Sequence, residues 1–268
     1  MKPMAFLFLA LWGISSQAQT PPPDKPAVPP PFFLEDIFSL SAGERVAGDI
    51  LIVAREAVIE GEVTDDLFLL SGVSGSLSRP STNAGLAQVS GLIRGSLWAA
   101  GTRLDLTGEV ERHLRAAFQT IRLAGRVDGN VWAAAETVTL GPEALIGGTL
   151  RVVAGQFILR GTVDGHLAVR AREIVLDGTV NGSASLHADK ITLLSGTHIR
   201  GPVEIYSPQP VIPSGNAVLE GPVRHVPTRP PNRWAIAFVS FSGLLLLALF
   251  LSWVTPALLV RPVLLLEL

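Results

Sequence analysis

Residues 161–182 read GTVDGHLAVRAREIVLDGTVNG. The run Gly161-Thr162-Val163-Asp164-Gly165 returns 17 residues later as Gly178-Thr179-Val180-Asn181-Gly182. Outward from this pair, each period opens with an aliphatic residue, often a small one two on, and a second aliphatic residue two further. The openings fall at Val46, Val63, Ile93, Val110, Val127, Ile146, Val163 and Val180, spaced 17, 30, 17, 17, 19, 17 and 17 residues apart. The step of 30 is one period plus a 13-residue insertion containing Arg79-Pro80-Ser81-Thr82-Asn83. Ile199 and Leu219 continue the series at steps of 19 and 20. A fixed period of this length is the mark of a solenoid.

The phase within the period says which kind. Apolar residues recur at +11 and +13 from each opening: Leu104 and Leu106, Ile121 and Leu123, Val138 and Leu140, Phe157 and Leu159, Ile174 and Leu176, Ile191 and Leu193. A glycine usually follows two residues later, as at Gly61, Gly108, Gly125, Gly161 and Gly178. Short runs of period two, broken by small residues, describe strands and turns. Helical repeats need roughly 33–47 residues per unit. Three short strands and three tight corners fit the observed period, so each repeat is expected to form one coil of a parallel β-helix. A left-handed hexapeptide helix would show a six-residue sub-period, which is missing. The expected fold is therefore all-β, a right-handed parallel β-helix of about 17-residue coils followed by a C-terminal transmembrane helix.

Composition narrows the function. The chain has 26 glycines, 48% hydrophobic residues and a net charge of −2, without the basic footprint of a nucleic-acid binder. It has no cysteine, which excludes disulfides, a thiolate metal site, a cysteine nucleophile and a lipidated cysteine anchor.

Both ends carry targeting signals. Residues 1–18 read as a secretory signal peptide: Lys2, an apolar stretch from Met4 to Ile14, and Ser16-Gln17-Ala18 at the cleavage position. The apolar stretch is too short for a hydrocarbon core of about 30 Å. Residues 19–31 form a stiff Pro-rich linker. Residues 32–41, with Phe32, Phe33, Leu34, Ile37 and Phe38, are expected to cap the solenoid, which occupies 42–226. Residues 234–254 hold no charged side chain, and Trp234 and Trp253 stand where interface anchors would, so a transmembrane helix is expected. The apolar tail 255–268, interrupted by Arg261, Pro262 and Glu267, is expected to open a further membrane segment. Arg224, Arg229 and Arg233 precede the span and only Arg261 follows it, against the positive-inside tendency. The signal peptide decides the orientation, placing the solenoid on the extracytoplasmic side, in the periplasm or at the cell surface.

The units Gly125-Arg126-Val127-Asp128-Gly129-Asn130-Val131, Gly161-Thr162-Val163-Asp164-Gly165-His166-Leu167 and Gly178-Thr179-Val180-Asn181-Gly182 give the chain a resemblance to the bactofilins. The resemblance covers about Ala42 to Val226. It implies a right-handed triangular β-helix that joins end to end into filaments without nucleotide. The signal peptide and terminal apolar segment set this chain apart as an exported, membrane-anchored variant.

One outward phase of the repeat carries side chains able to make contacts. Residues at +5 should point outward, and they run Phe68, Trp98, Arg115, Trp132, Arg151, Ala168 and Ser185. Coils lie about 4.8 Å apart, so Phe68, Trp98, Arg115, Trp132 and Arg151 form a stripe able to meet a glycan or a protein. The same side chains also serve simply to cover and stack along their own sheet. His113 and His166 share the +3 position but stand three coils apart, about 14 Å, and no metal site is expected. Asp128, Asp164 and Asn181 suit turns, bonding nearby backbone and tolerating unusual dihedrals. Neighbouring strand residues point to opposite faces, which weakens Asp65-Asp66 as a catalytic dyad. The Gly-x-x-Gly runs lack the following helix that a phosphate loop needs, so no nucleotide and no cofactor is expected. The expected function is a non-enzymatic, membrane-tethered scaffold of the cell envelope that self-assembles or meets an envelope protein or glycan. The alternative is a binding module acting through the stripe. A polysaccharide-active enzyme is the third reading, and it lacks the carboxylate-bearing loops such enzymes build on their coils.

Overall fold

In a computed structural model of the chain, the described residues are 32–72, 85–208, 211 and 216–227, all within the unit Pro31–Leu268. The signal peptide, the linker, the segment 234–254 and the tail 255–268 lie outside them. Among the described residues no helix is long and apolar enough to cross a membrane.

The described chain is a parallel β-solenoid of ten coils. Each opening residue ends a two-residue strand, from Arg45–Val46 and Glu62–Val63 through Thr179–Val180 to His198–Ile199 and Val218–Leu219. These short strands stack in sequence order into one ten-stranded parallel sheet. The remaining strands form a 14-stranded parallel sheet that bends round the other two sides of each coil. Val131–Leu140, Leu150–Leu159 and Leu167–Leu176 each run along both sides, and their register skips one residue at the bend, passing from Ala135↔Ala154 to Thr137↔Gln156. We call the stretch from +4 to +7 the first face, the stretch ending at +13 the second, and the short sheet the third.

Burial follows the phase of the repeat. The openings from Val63 to Ile199, their +4 partners from Ile50 to Leu167 and the +13 leucines are essentially inaccessible to solvent. Leu123, Leu140, Leu159, Leu176 and Leu193 pair coil to coil as one continuous interior ladder. Only the terminal openings Val46 and Leu219 are half-exposed, because each lacks a coil on one side. At the N-terminal end Phe32–Leu40 pairs in parallel with Ile50–Ile59 and adds one more rung to the two-sided sheet. Phe38 and Leu40 enter the core, and Phe33 meets Phe38 edge-on at 5.2 Å between ring centroids.

The insertion leaves the stacking untouched. Ile50–Ile59 pairs with Leu67–Ser71 on the first face and with Leu86–Val89 on the second, so the extra residues leave and rejoin at the corner between them. Gly72 and Gly85 stand together there, both at positive φ (94° and 84°), and the Ser71 hydroxyl donates to the Gly85 carbonyl at 3.0 Å.

Glycine serves a different end at the corner before the third face. A Cβ on Gly125 would strike the carbonyl of Gly108, one on Gly108 that of Gly91, and one on Gly178 that of Gly161. These glycines are required by coil-to-coil approach, not by their φ. Among the described residues no non-glycine residue has positive φ either, so Asp128, Asp164 and Asn181 are present for their hydrogen bonds and not for unusual dihedrals. Asp128 accepts from Arg126 at 2.5 Å, and Asn181 donates to Asp164 of the preceding coil at 2.6 Å.

Two pairs of variants check this architecture by thermal melts. Leu159→Asp buries an unpaired carboxylate in the interior ladder and is expected to cost several kcal/mol. Arg160→Asp, exposed on the neighbouring position, should stay within about 0.5 kcal/mol of the parent. Gly125→Ala should destabilise by about 1–3 kcal/mol through overpacking. Gly141→Ala should be silent, since its Cβ would find nothing nearer than 3.6 Å.

Candidate functional site: a stacked aromatic and arginine face

The first face presents two outward columns, at +5 and +7. Register places Phe68 beside Trp98, Trp98 beside Arg115, Arg115 beside Trp132 and Trp132 beside Arg151. All five residues of the expected stripe are therefore neighbours on successive rungs. The Phe68 and Trp98 rings stack with centroids 5.9 Å apart. The Arg115 guanidinium lies over Trp98 at 4.0 Å and within 5.9 Å of Trp132, which Arg151 covers at 5.2 Å. Each indole thus has neighbours on both of its faces. A sugar ring could stack on Trp98 or Trp132 only by displacing a guanidinium or a phenyl ring. Trp98 and Trp132 nevertheless remain 38% and 51% exposed.

The +7 column is the part that sequence reasoning passed over. It carries Leu70, Ala100, Ala117, Ala134, Val153, Arg170 and His187, one step of the same alternation beyond +5. Leu70, Trp98, Trp132 and Val153 are the exposed large hydrophobics of the described stretch between Arg45 and Ser207, and all four lie on this face. Together the columns line an open groove of about 850 Å³.

Charge is partitioned between the faces. From Leu51 to His187 the outward positions of the first face hold Arg115, Arg151 and Arg170 and no carboxylate. Among the described residues the ion pairs lie elsewhere. Arg94 bridges Glu62 at 2.5 Å and Glu111 at 3.4 Å on the third face, and Lys190 holds Glu173 at 2.6 Å on the second. Arg172 and Glu136 pair at the corner. The hydrogen bond from Arg94 holds the Glu62 carboxyl below its ordinary range, and Lys190 does the same for Glu173.

The histidines and paired carboxylates belong to a different arrangement. At +3 a ladder of side chains caps the backbone of the next coil. Asp49 accepts from the Asp66 N–H at 3.1 Å, Asp66 from Ser96 at 2.7 Å, the His113 Nδ1 from Asn130 at 3.0 Å, and Asn130 from Thr149 at 2.8 Å. The His166 ring bonds the Ser183 hydroxyl at 2.7 Å. This is why His113 and His166 share a phase. Among the described residues no group of three or more His, Asp or Glu is placed to hold a metal ion.

Residues 101–204, which include Arg115, Trp132 and Arg151, match the family model described as Bactofilin, polymer-forming cytoskeletal. That stretch is similar to a bactofilin domain, and it folds as part of a β-solenoid. Searches of the curated proteins and of the solved structures found no match to the chain.

One titration is built into the C-terminal end of the face. His187 stacks on Tyr206 with centroids 4.0 Å apart and planes 3° from parallel. Desolvation lowers its pKa from the ordinary 6.5, Arg170 on the neighbouring rung lowers it further, and Glu204 opposes them. The unfolded chain therefore takes up this proton first as pH falls. The stability lost begins as pH drops through about 6.5 and is complete below the depressed folded value. Melting temperature should decline across that window, and His187→Phe should remove that part of the decline.

Proposed function

We propose that this chain is a membrane-tethered, polymer-forming scaffold of the bacterial cell envelope, wound as a right-handed β-helix whose coils join end to end. The observation that carries the reading is the state of the two ends. Among the described residues Phe32–Leu40 is paired on one side only, with Ile50–Ile59, and Val223–Pro227 on one side only, with Val203–Ser207. Open strand edges recruit further strands unless they are blocked. Here they are also apolar: Phe32, Leu34 and Ile37 are more than half exposed at one end, and Val218 and Val223 nearly so at the other.

The sequence supports the tether and the side of the membrane. A leader at residues 1–18 exports the chain, and residues 234–254 hold it in the bilayer, leaving the solenoid outside the cytoplasm. Phe32–Leu40, with Phe38 in the core and Phe33 packed against it, both closes the first coil and offers the next edge. Electron microscopy of the purified chain should show filaments, and Leu34→Asp with Ile37→Asp should leave short single rods. Single rods from the parent chain would overturn end-to-end assembly. A reporter that fluoresces only in the cytoplasm, joined at Thr228, should stay dark, and a bright signal would reverse the topology.

A further inference from the structure

We infer that the first face of the solenoid lies against an anionic phospholipid surface, with Arg115, Arg151 and Arg170 on the headgroup phosphates and Trp98, Trp132 and Val153 at the interface. The inference rests on the proposed tether, and it names what the stacked face meets.

Three observations select this occupant. The face is net positive: from Leu51 to Val226 its outward positions hold Arg115, Arg151, Arg170 and Arg224 against one carboxylate, Glu204, in a chain whose net charge is −2. An acceptor-rich, negatively charged partner is complementary to it. A second copy of the same face would set arginines against arginines. The Trp98 and Trp132 rings are already engaged by Phe68, Arg115 and Arg151, so a glycan would have to displace these partners to stack, while the face still sets N–H donors beside apolar surface. Donors next to apolar edges suit the boundary between headgroups and acyl chains, where Trp and Arg concentrate.

The third observation is connectivity. Val223–Pro227, the last described strand, belongs to this same face through its pairing with Val203–Ser207. Only residues 228–233, Thr-Arg-Pro-Pro-Asn-Arg, separate it from the apolar segment that begins at Trp234. The side of the solenoid that carries the arginines is thus the side joined to the tether. Each arginine along the face adds to the contact with an anionic surface.

The test uses the full chain with Trp12, Trp234 and Trp253 replaced by Phe, so that fluorescence reports Trp98 and Trp132. The protein is reconstituted into vesicles of phosphatidylcholine, or of equal parts phosphatidylcholine and phosphatidylglycerol, and quenched with aqueous acrylamide. The expected result is shielding of the two tryptophans in the anionic vesicles, little in the neutral ones, and release by high salt. Arg115→Ser with Arg151→Ser should lower the ratio of shielded to open face about 25-fold, roughly fivefold per arginine. Arg103→Ser with Arg122→Ser, an equal loss of charge on the second face, should change nothing, and circular dichroism melts confirm that each variant is folded.

Flotation separates this inference from the tether. Flotation with both kinds of vesicle but no shielding in either would overturn the face contact and leave the tether standing. Flotation and shielding with anionic vesicles alone would keep the face contact and remove the tether. Shielding that rises with protein concentration in detergent, without lipid, would assign the face to a second copy. Equal shielding by soluble polyglutamate would assign it to an acidic protein. Either result overturns the lipid reading.

Discussion

Each coil rests on the previous one through parallel backbone pairing that joins each strand residue to its counterpart one coil away. The rest of the structure follows from this registry. Like sits on like, so the interior is columns of Val, Leu and Ile, and no position can be optimised alone. The +6 column narrows from Ile52 and Leu69 to Ala99, Ala116 and Ala133, then widens through Val152 and Val169 to Leu186. At the corners the same registry brings backbone onto backbone so closely that only glycine fits. Where the corner residue grows, its neighbour must shrink: Phe118 is buried at a corner whose lower neighbour is Gly101, and a Cβ on that glycine would press on the phenyl ring.

The architecture was legible in the sequence because registry writes itself as a period. The positions of the short strands, the buried ladders and the place of the insertion all follow from spacing, since any slip would exchange core for surface. The stripe was legible for the same reason, as one phase of the repeat. Its physical character was not. Spacing places Arg115 between Trp98 and Trp132 but does not say that the guanidinium lies over the rings and closes their faces. The +7 column escaped attention because its alanines carry no chemical signal, although Arg170 and Val153 stand within it.

The +3 ladder shows why residue identity misleads in such a fold. Asp, Ser, His and Asn alternate there, and read singly they suggest catalysis or metal binding. In the coil they are interchangeable acceptors or partners for one backbone N–H of the neighbouring coil. The ladder satisfies donors at a turn where the strand pairing lapses. Exposed ion pairs such as Arg94 with Glu62 and Glu111 likewise join one coil to the next, each worth little alone. Polar side chains on the second and third faces are largely turned towards neighbouring coils, and the first face is left to look outward.

The corner at Gly72 and Gly85 separates two quantities that are usually tied together. In most folds a longer chain makes a different body. Here 13 residues enter and leave at one point, the register on either side is unbroken, and the rod is no longer for it. Axial length is counted in coils, while cargo can be carried at the corners. A protein of this design can therefore acquire new surface segments by insertion while keeping its rung spacing and its ends, and so remain compatible in a shared filament with copies that lack them.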